Sequence, residues 1–169
     1  MAHTLESLAA GIRVLLKDQP IEACADKICD LLSGYLTDPG FSATHLADRA
    51  PGVHPREVLF EDPELGFCIC GHVYGDAAET GPHDHGPSWA IYGQAEGETV
   101  MTDWQITTPA AGGDPALVAP TKVYTLAPGD AHFYRPGAVH SPKRVAPTRL
   151  LRIEGANLDN VTRSPIRAA

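Results

Sequence analysis

Residues 81–89 read GPHDHGPSW. His83 and His85 stand one residue apart, boxed in by glycine and proline, at what reads as the start of a strand after a turn. On a strand, residues i and i+2 point to the same side. Both imidazoles then face one place. Either that place holds a metal, or the spacing belongs to a polar loop, and the rest of the chain must decide. A third histidine follows in PGDAHFYRPGAVHSP, residues 128–142. There APGD reads as a tight turn, and RPGAVH as another that leads His140 into a strand.

The bulk numbers bound the answer. A chain of 169 residues suits one domain with a sizeable core. Its 43% hydrophobic content is globular rather than disordered. The formal net charge is −8 and the pI about 5.4. Nucleic acids and anionic membranes both require basic patches, so neither is expected as a partner. No apolar run approaches the roughly 20 residues that span a bilayer. The opening MAHTLESLAAGIRVLL lacks the basic start and small-residue cleavage site of a signal peptide, and a cytoplasmic location is expected. In that reducing compartment Cys24, Cys29, Cys68 and Cys70 are thiols. The first pair reads as small core residues of a helix. The second shares one face of FCICGHVY, a weak zinc signal without a further cysteine pair.

Along the chain, Leu5, Leu8, Ile12, Leu15 and Leu16 recur at helical spacing over 4–17, with Thr4 as N-cap. Pro20 opens a second helix with Ile21, Ala25, Ile28, Leu32 and Leu36 on one side. DPGFSATHLA holds one more short turn. After residue 50, prolines and glycines punctuate short apolar runs: REVLF, GFCICGHVY, WAIYGQAEG, ETVMTDWQI, KVYTLAP, AHFYRP and RLLRIEG. TPAAGGDPALVAP, 108–120, reads as a long irregular surface insert, and DNVTRSPIRAA as a polar tail that frays. The expected organisation is N-terminal helices over 1–50, a barrel over 51–160 and a tail over 161–169, together one structural domain. Two or three helices followed by eight or more short strands fit an antiparallel double-sheet barrel with helices on its outside.

The two histidine segments resemble the cupin superfamily, whose fold is a double-stranded β-helix or jelly-roll barrel. Its first motif runs glycine, five residues, HxH, four residues, glutamate, six residues, glycine. His83, His85 and Gly97 match, Ala90 stands in the glutamate slot, and Ala77 in the opening glycine slot. Its second motif runs glycine, five residues, PxG, two residues, histidine, three residues, asparagine. Gly129, Gly137 and His140 match, while Arg135 and Arg144 replace the proline and the asparagine. The resemblance implies a metal centre of His83, His85 and His140 with no carboxylate, since Ala90 cannot ligate. Three facial neutral ligands with open positions suit a non-haem Fe(II) oxygenase. Such a site keeps its full +2 charge and attracts an anionic chelator. Zn(II) or Ni(II) would fit the same ligands as isolated.

Within the cupins the layout looks like the thiol dioxygenases that act on cysteine or 3-mercaptopropionate. These have N-terminal helices, an HDH core and no glutamate in the first motif. They hold the substrate carboxylate with an arginine on an early strand, where Arg56 stands here. The chain departs from them after the last ligand. In place of Ser-x-His-x-Tyr it has Leu150, Arg152 and Glu154 at alternate positions of TRLLRIEG.

Period two assigns the neighbours. If Ala90 points inward, so do Ser88, Tyr92 and Gln94, while Trp89 packs outside against a helix. Tyr92 is a candidate to hydrogen-bond dioxygen or substrate, or else it fills the barrel. Gln94 orients substrate or, more simply, packs. Arg152 and Glu154 line the cavity or lie at the surface, because buried charge needs a partner. Arg56 anchors an anion or forms a surface ion pair with Glu57 or Asp62. His132 is a candidate to orient a ligand, His72 a hydrogen-bonded wall residue, and Asp84 a pin for the turn. His3, His45 and His54 read as surface or loop residues.

The leading expectation is an Fe(II)-dependent dioxygenase of a small anionic chelating substrate, first a thiol carboxylate, with O2 as co-substrate and catalytic candidates Arg56, Tyr92, Arg152 and Glu154. One alternative is a three-histidine dioxygenase cleaving a C–C bond of a β-diketone-like substrate. Another is a non-enzymatic small-molecule-binding cupin. A homodimer is compatible with all three.

Overall fold

The computed structural model describes residues 3–169. Three helices come first. α1 (Leu5–Leu16) starts with a capping box: the Thr4 hydroxyl accepts from the Ser7 amide, and Ser7 Oγ accepts from the Thr4 amide. α2 (Ile21–Leu36) follows Pro20, and α3 (Pro39–His45) starts where the Asp38 carboxylate accepts from the amides of Gly40 and Phe41.

The strands are β1 (Arg56–Glu61), β2 (Cys68–Tyr74), β3 (Ala78–Glu79), β4 (Ala90–Glu96), β5 (Thr99–Thr108), β6 (Ala116–Leu126), β7 (Ala131–Tyr134), β8 (His140–Arg144), β9 (Thr148–Glu154) and β10 (Ile166–Ala168). They form two five-stranded sheets, ordered β1-β2-β9-β4-β7 and β10-β6-β5-β8-β3. Every pairing is antiparallel except β10 with β6.

Alternation divides the first sheet between two cores. Ile69, Ile91, Leu151 and Ile153 face outward and bury against Leu8, Ile12, Ile28 and Leu32 of the helices. Gly93 sits at the closest approach. A Cβ there would lie 2.7 Å from Leu32 Cδ2 and 2.8 Å from Leu36 Cδ1, so only glycine lets α2 lie flat on β4. The opposite face, with Ala90, Tyr92 and Tyr134, meets Met101 and Leu126 of the second sheet to fill the space between them. Gly97 closes the β4–β5 hairpin at φ +70°, where a Cβ would meet the Pro147 carbonyl at 2.5 Å.

Two readings of the chain need correction. The irregular insert is shorter than its composition implies, because ALVAP already belongs to β6. The polar tail does not end free: β10 pairs with Ala116–Val118 at the edge of the second sheet. Among the described residues no helix is long and apolar enough to cross a membrane.

Candidate metal centre

The three histidines come together through backbone pairing. His83 and His140 form an isolated antiparallel bridge, His83 N donating to His140 O at 3.1 Å and His140 N to His83 O at 3.0 Å. Residues opposed in this way present their side chains on the same face. His85 is not on a strand, as the HxH spacing suggested. It follows in a turn that Gly86 completes at φ +57°. Even so, the ligating atoms of all three rings lie within 4.8 Å of one another. His85 and His140 are buried, and His83 is partly open.

Second contacts set the tautomers. His83 Nδ1 faces the Gly81 carbonyl at 2.9 Å, and His140 Nδ1 faces that of Ala138 at 3.1 Å. A ring nitrogen beside a carbonyl must donate, which leaves Nε2 of both rings as bare lone pairs. Burial pushes His83 down to about 4 and His140 to about 3, and drives His85 lower still. All three rings are therefore neutral at neutral pH. Convergent neutral nitrogens, two of them held by carbonyls, suit a metal ion, and the donor set fits one. Ala90, in the glutamate slot, is a buried apolar wall.

Tyr92 faces inward, as its parity requires. Its hydroxyl stands 3.2 Å from Nε2 of both His85 and His140 and accepts from Arg152 Nη1 at 3.2 Å. Gln94 also faces inward but is spent on structure, bonding the Glu96 carbonyl and the Thr99 hydroxyl. Asp84 points away from the rings and accepts from the Gly86 amide and from both the amide and hydroxyl of Ser164, tying the histidine turn to the tail. His132 touches no ligand. It packs between Tyr124 and Tyr134, and the Tyr134 ring stacks on His140 with centroids 4.0 Å apart.

Arg152 and Glu154 line the interior and share a partner that the sequence did not disclose. Arg56 grips Glu154 with two hydrogen bonds, Nε to Oε1 at 3.1 Å and Nη2 to Oε2 at 2.8 Å, and Arg152 Nε donates to Oε1 at 2.7 Å. Arg56 also reaches Asp159 and Asn157. Glu57 and Asp62 are engaged elsewhere, by Arg49 and Arg13. These guanidiniums hold the Glu154 carboxyl below the usual range despite its burial. Both arginines singled out from the sequence are thus already neutralised.

A cavity of about 300 Å³ opens beside the rings. His83, Tyr92, Arg56 and Arg152 line it, together with three residues that the sequence reading did not place in a site: Arg144, Arg163 and Tyr74. His72 is indeed a wall residue, but its Nε2 has no hydrogen-bond partner. Arg144 is buried as well. It was legible only as an arginine standing in the asparagine slot of the second motif, four residues after His140.

Comparison with solved structures follows this geometry. A double-stranded β-helix domain protein from Klebsiella pneumoniae superposes with a TM-score of 0.51 at 16% identity, over 75% of this chain and 89% of its own. The fold is a double-stranded β-helix. A cupin superfamily protein from Desulfitobacterium hafniense matches this double-stranded β-helix with a TM-score of 0.46 at 13% identity, over 64% and 82% of the two chains. KdgF from a Halomonas species matches with 0.44 at 18%, over 71% and 86%. No protein-family model and no curated protein matches the chain.

Proposed function

We propose that this double-stranded β-helix is an Fe(II)-dependent dioxygenase acting on a small anionic chelating substrate, a thiol carboxylate first. One observation carries the reading. Three neutral imidazoles converge with no carboxylate among them, beside a cavity lined by four arginines and no acid. A bound Fe(II) ion would supply the redox chemistry towards O2, and Zn(II) or Ni(II) would fit the same donors.

The chain's own groups supply the rest. Carbonyls of Gly81 and Ala138 hold His83 and His140 with Nε2 presented. Arginine-rich walls favour an anion over a neutral molecule. The Tyr92 hydroxyl, held by Arg152 against two ring nitrogens, is placed to hydrogen-bond whatever lies in front of them. Glu154, shared by Arg56 and Arg152, fixes the angle of both guanidiniums rather than moving a proton, since its carboxyl stays ionised. Leu150 and Pro142 complete an apolar stretch of wall that limits water.

The test is anaerobic loading with Fe(II), followed by oxygen-electrode measurement against small thiol carboxylates and β-diketones. The expected result is substrate-dependent O2 uptake with a thiol carboxylate, lost with iron content in His83→Ala and His140→Ala. Uptake with a diketone alone would move the reaction to C–C cleavage. Full iron loading with no uptake would leave a binding protein.

A further inference from the structure

Arg56 and Arg152 are the arginines whose positions pointed to an anion, yet the carboxylate of Glu154 already lies between them. Arg144 differs on every count. It ends β8, is only 4% exposed, and its Nε has no hydrogen-bond partner. Its guanidinium lies over the Tyr74 ring, 4.3 Å from the centroid. No carboxylate acts on it; its charged neighbour is Arg152, and burial holds its affinity for a proton below the usual arginine value. A buried guanidinium without a counter-charge is costly, and one stacked on an aromatic face is held flat with its fork presented. Next to it on the wall of the same cavity stands His72, whose Nε2 is also buried and unpartnered.

We propose that Arg144, backed by Tyr74 and flanked by His72, is the subsite for the substrate carboxylate, and that this carboxylate is not itself one of the groups that bind the metal. The spacing supports the second part. Arg144 lies four residues beyond His140 on one strand, so their Cα atoms are separated by about 13 Å of strand rise. Arg144 and His83, the backbone partner of His140, both line the one cavity. A molecule that touches the histidine-held ion at one end and Arg144 at the other carries its carboxylate on a chain several bonds from its donor atom. The substrate class is therefore a small acid with a soft or oxygen donor at the far end. This proposal rests on the metal-site reading above.

The probes are 3-mercaptopropionate, 4-mercaptobutyrate and the uncharged 3-mercaptopropan-1-ol, titrated calorimetrically into the Co(II)-loaded protein. The acids are expected to bind at least tenfold more tightly than the alcohol. Arg144→Gln should remove that preference without changing Co(II) content or affinity for the alcohol, whereas Lys143→Gln, at its exposed neighbour on β8 outside the cavity wall, should keep it. A preference that survives Arg144→Gln overturns the subsite and leaves the metal reading standing. A chain that takes up no Co(II) overturns the metal reading instead. The subsite is then decided on the metal-free protein, labelled with 15N-arginine, by titration with 4-mercaptobutyrate. The Arg144 Nε–H resonance, assigned by its absence in Arg144→Lys, should move with the acid and not with the alcohol. An unmoved resonance overturns the proposal, and this readout needs no variant other than the one used for assignment.

Discussion

Glu154 sits at the strictest position in the chain: fully buried, it takes hydrogen bonds from two guanidiniums and from the Leu158 amide. Breaking a buried pair by removing one partner's charge is worse than never having built it. Glu154→Gln leaves Arg152 buried without a carboxylate and Arg56 with Asp159 alone. It should destabilise the fold by about 3–5 kcal/mol, read as a drop in the urea midpoint at unchanged slope. The histidines give a prediction of opposite chemistry. Their folded values of about 4 for His83 and about 3 for His140 lie below the ordinary 6.5. Between pH 6.5 and 4 the unfolded chain therefore binds protons that the folded chain refuses. Stability of the metal-free protein should fall as pH drops through that window, by on the order of 1–2 kcal/mol per ring at pH 5. His83→Asn should flatten the slope. A midpoint that is level from pH 7.5 to 5 would contradict the buried neutral site.

At the scale of elements, the turn carrying His83 and His85 borrows its rigidity from the distant segment before β10. Asp84 lies between the two histidines and binds Ser164, 80 residues away. Asp84→Ala should leave the barrel folded but weaken metal binding about 10–100-fold, as loss of outer support does. Competition with a chelating dye would measure it, and an unchanged affinity would show that the turn holds itself. Local signals made most of this architecture readable. The caps at Thr4 and Asp38, the turn glycines and the alternation in WAIYGQAEG and RLLRIEG act within a few residues, so a single chain displays them. The His83, His85 and His140 set was legible because its two segments resemble the paired histidine motifs of the cupins. What the sequence did not disclose depends on long-range partners. Arg56 meets Glu154 across 98 positions. The tail's polar run orders only by finding Asp84 and the edge of β6, and the freedom of Arg144 shows only once the carboxylates it lacks have been located elsewhere.

For the molecule as a whole, the candidate metal centre is an addition to a fold built from other contacts. The helix-covered core is built from ordinary apolar burial, with Leu8, Ile12, Ile28, Leu32, Ile69, Ile91 and Leu151 nearly free of solvent. Removing metal with EDTA should therefore leave the far-ultraviolet circular dichroism intact. It should lower the melting temperature, which should rise again with added metal; about 2.7 kcal/mol is gained at a hundredfold excess over Kd. His140→Ala should abolish the rise. Collapse of the spectrum on chelation would instead make the metal a folding element. The same view shows an acidic molecule, at net charge −8, keeping a cluster of arginines turned inward at one cavity.

The parallel pairing of β10 with β6 reaches beyond the site. β6 is the longest strand, and without β10 it would present a bare row of amides and carbonyls to solvent. Such an edge is a template on which a strand from another molecule can add. β10 occupies it along Ala116–Val118, Pro120 has no amide to offer, and Lys122 sets a charge two residues further on. The residues of β10 thus cover part of an edge on which another strand could otherwise add. Damage that frees them, such as loss of the Ser164 anchor, would first be felt as clumping of otherwise folded molecules.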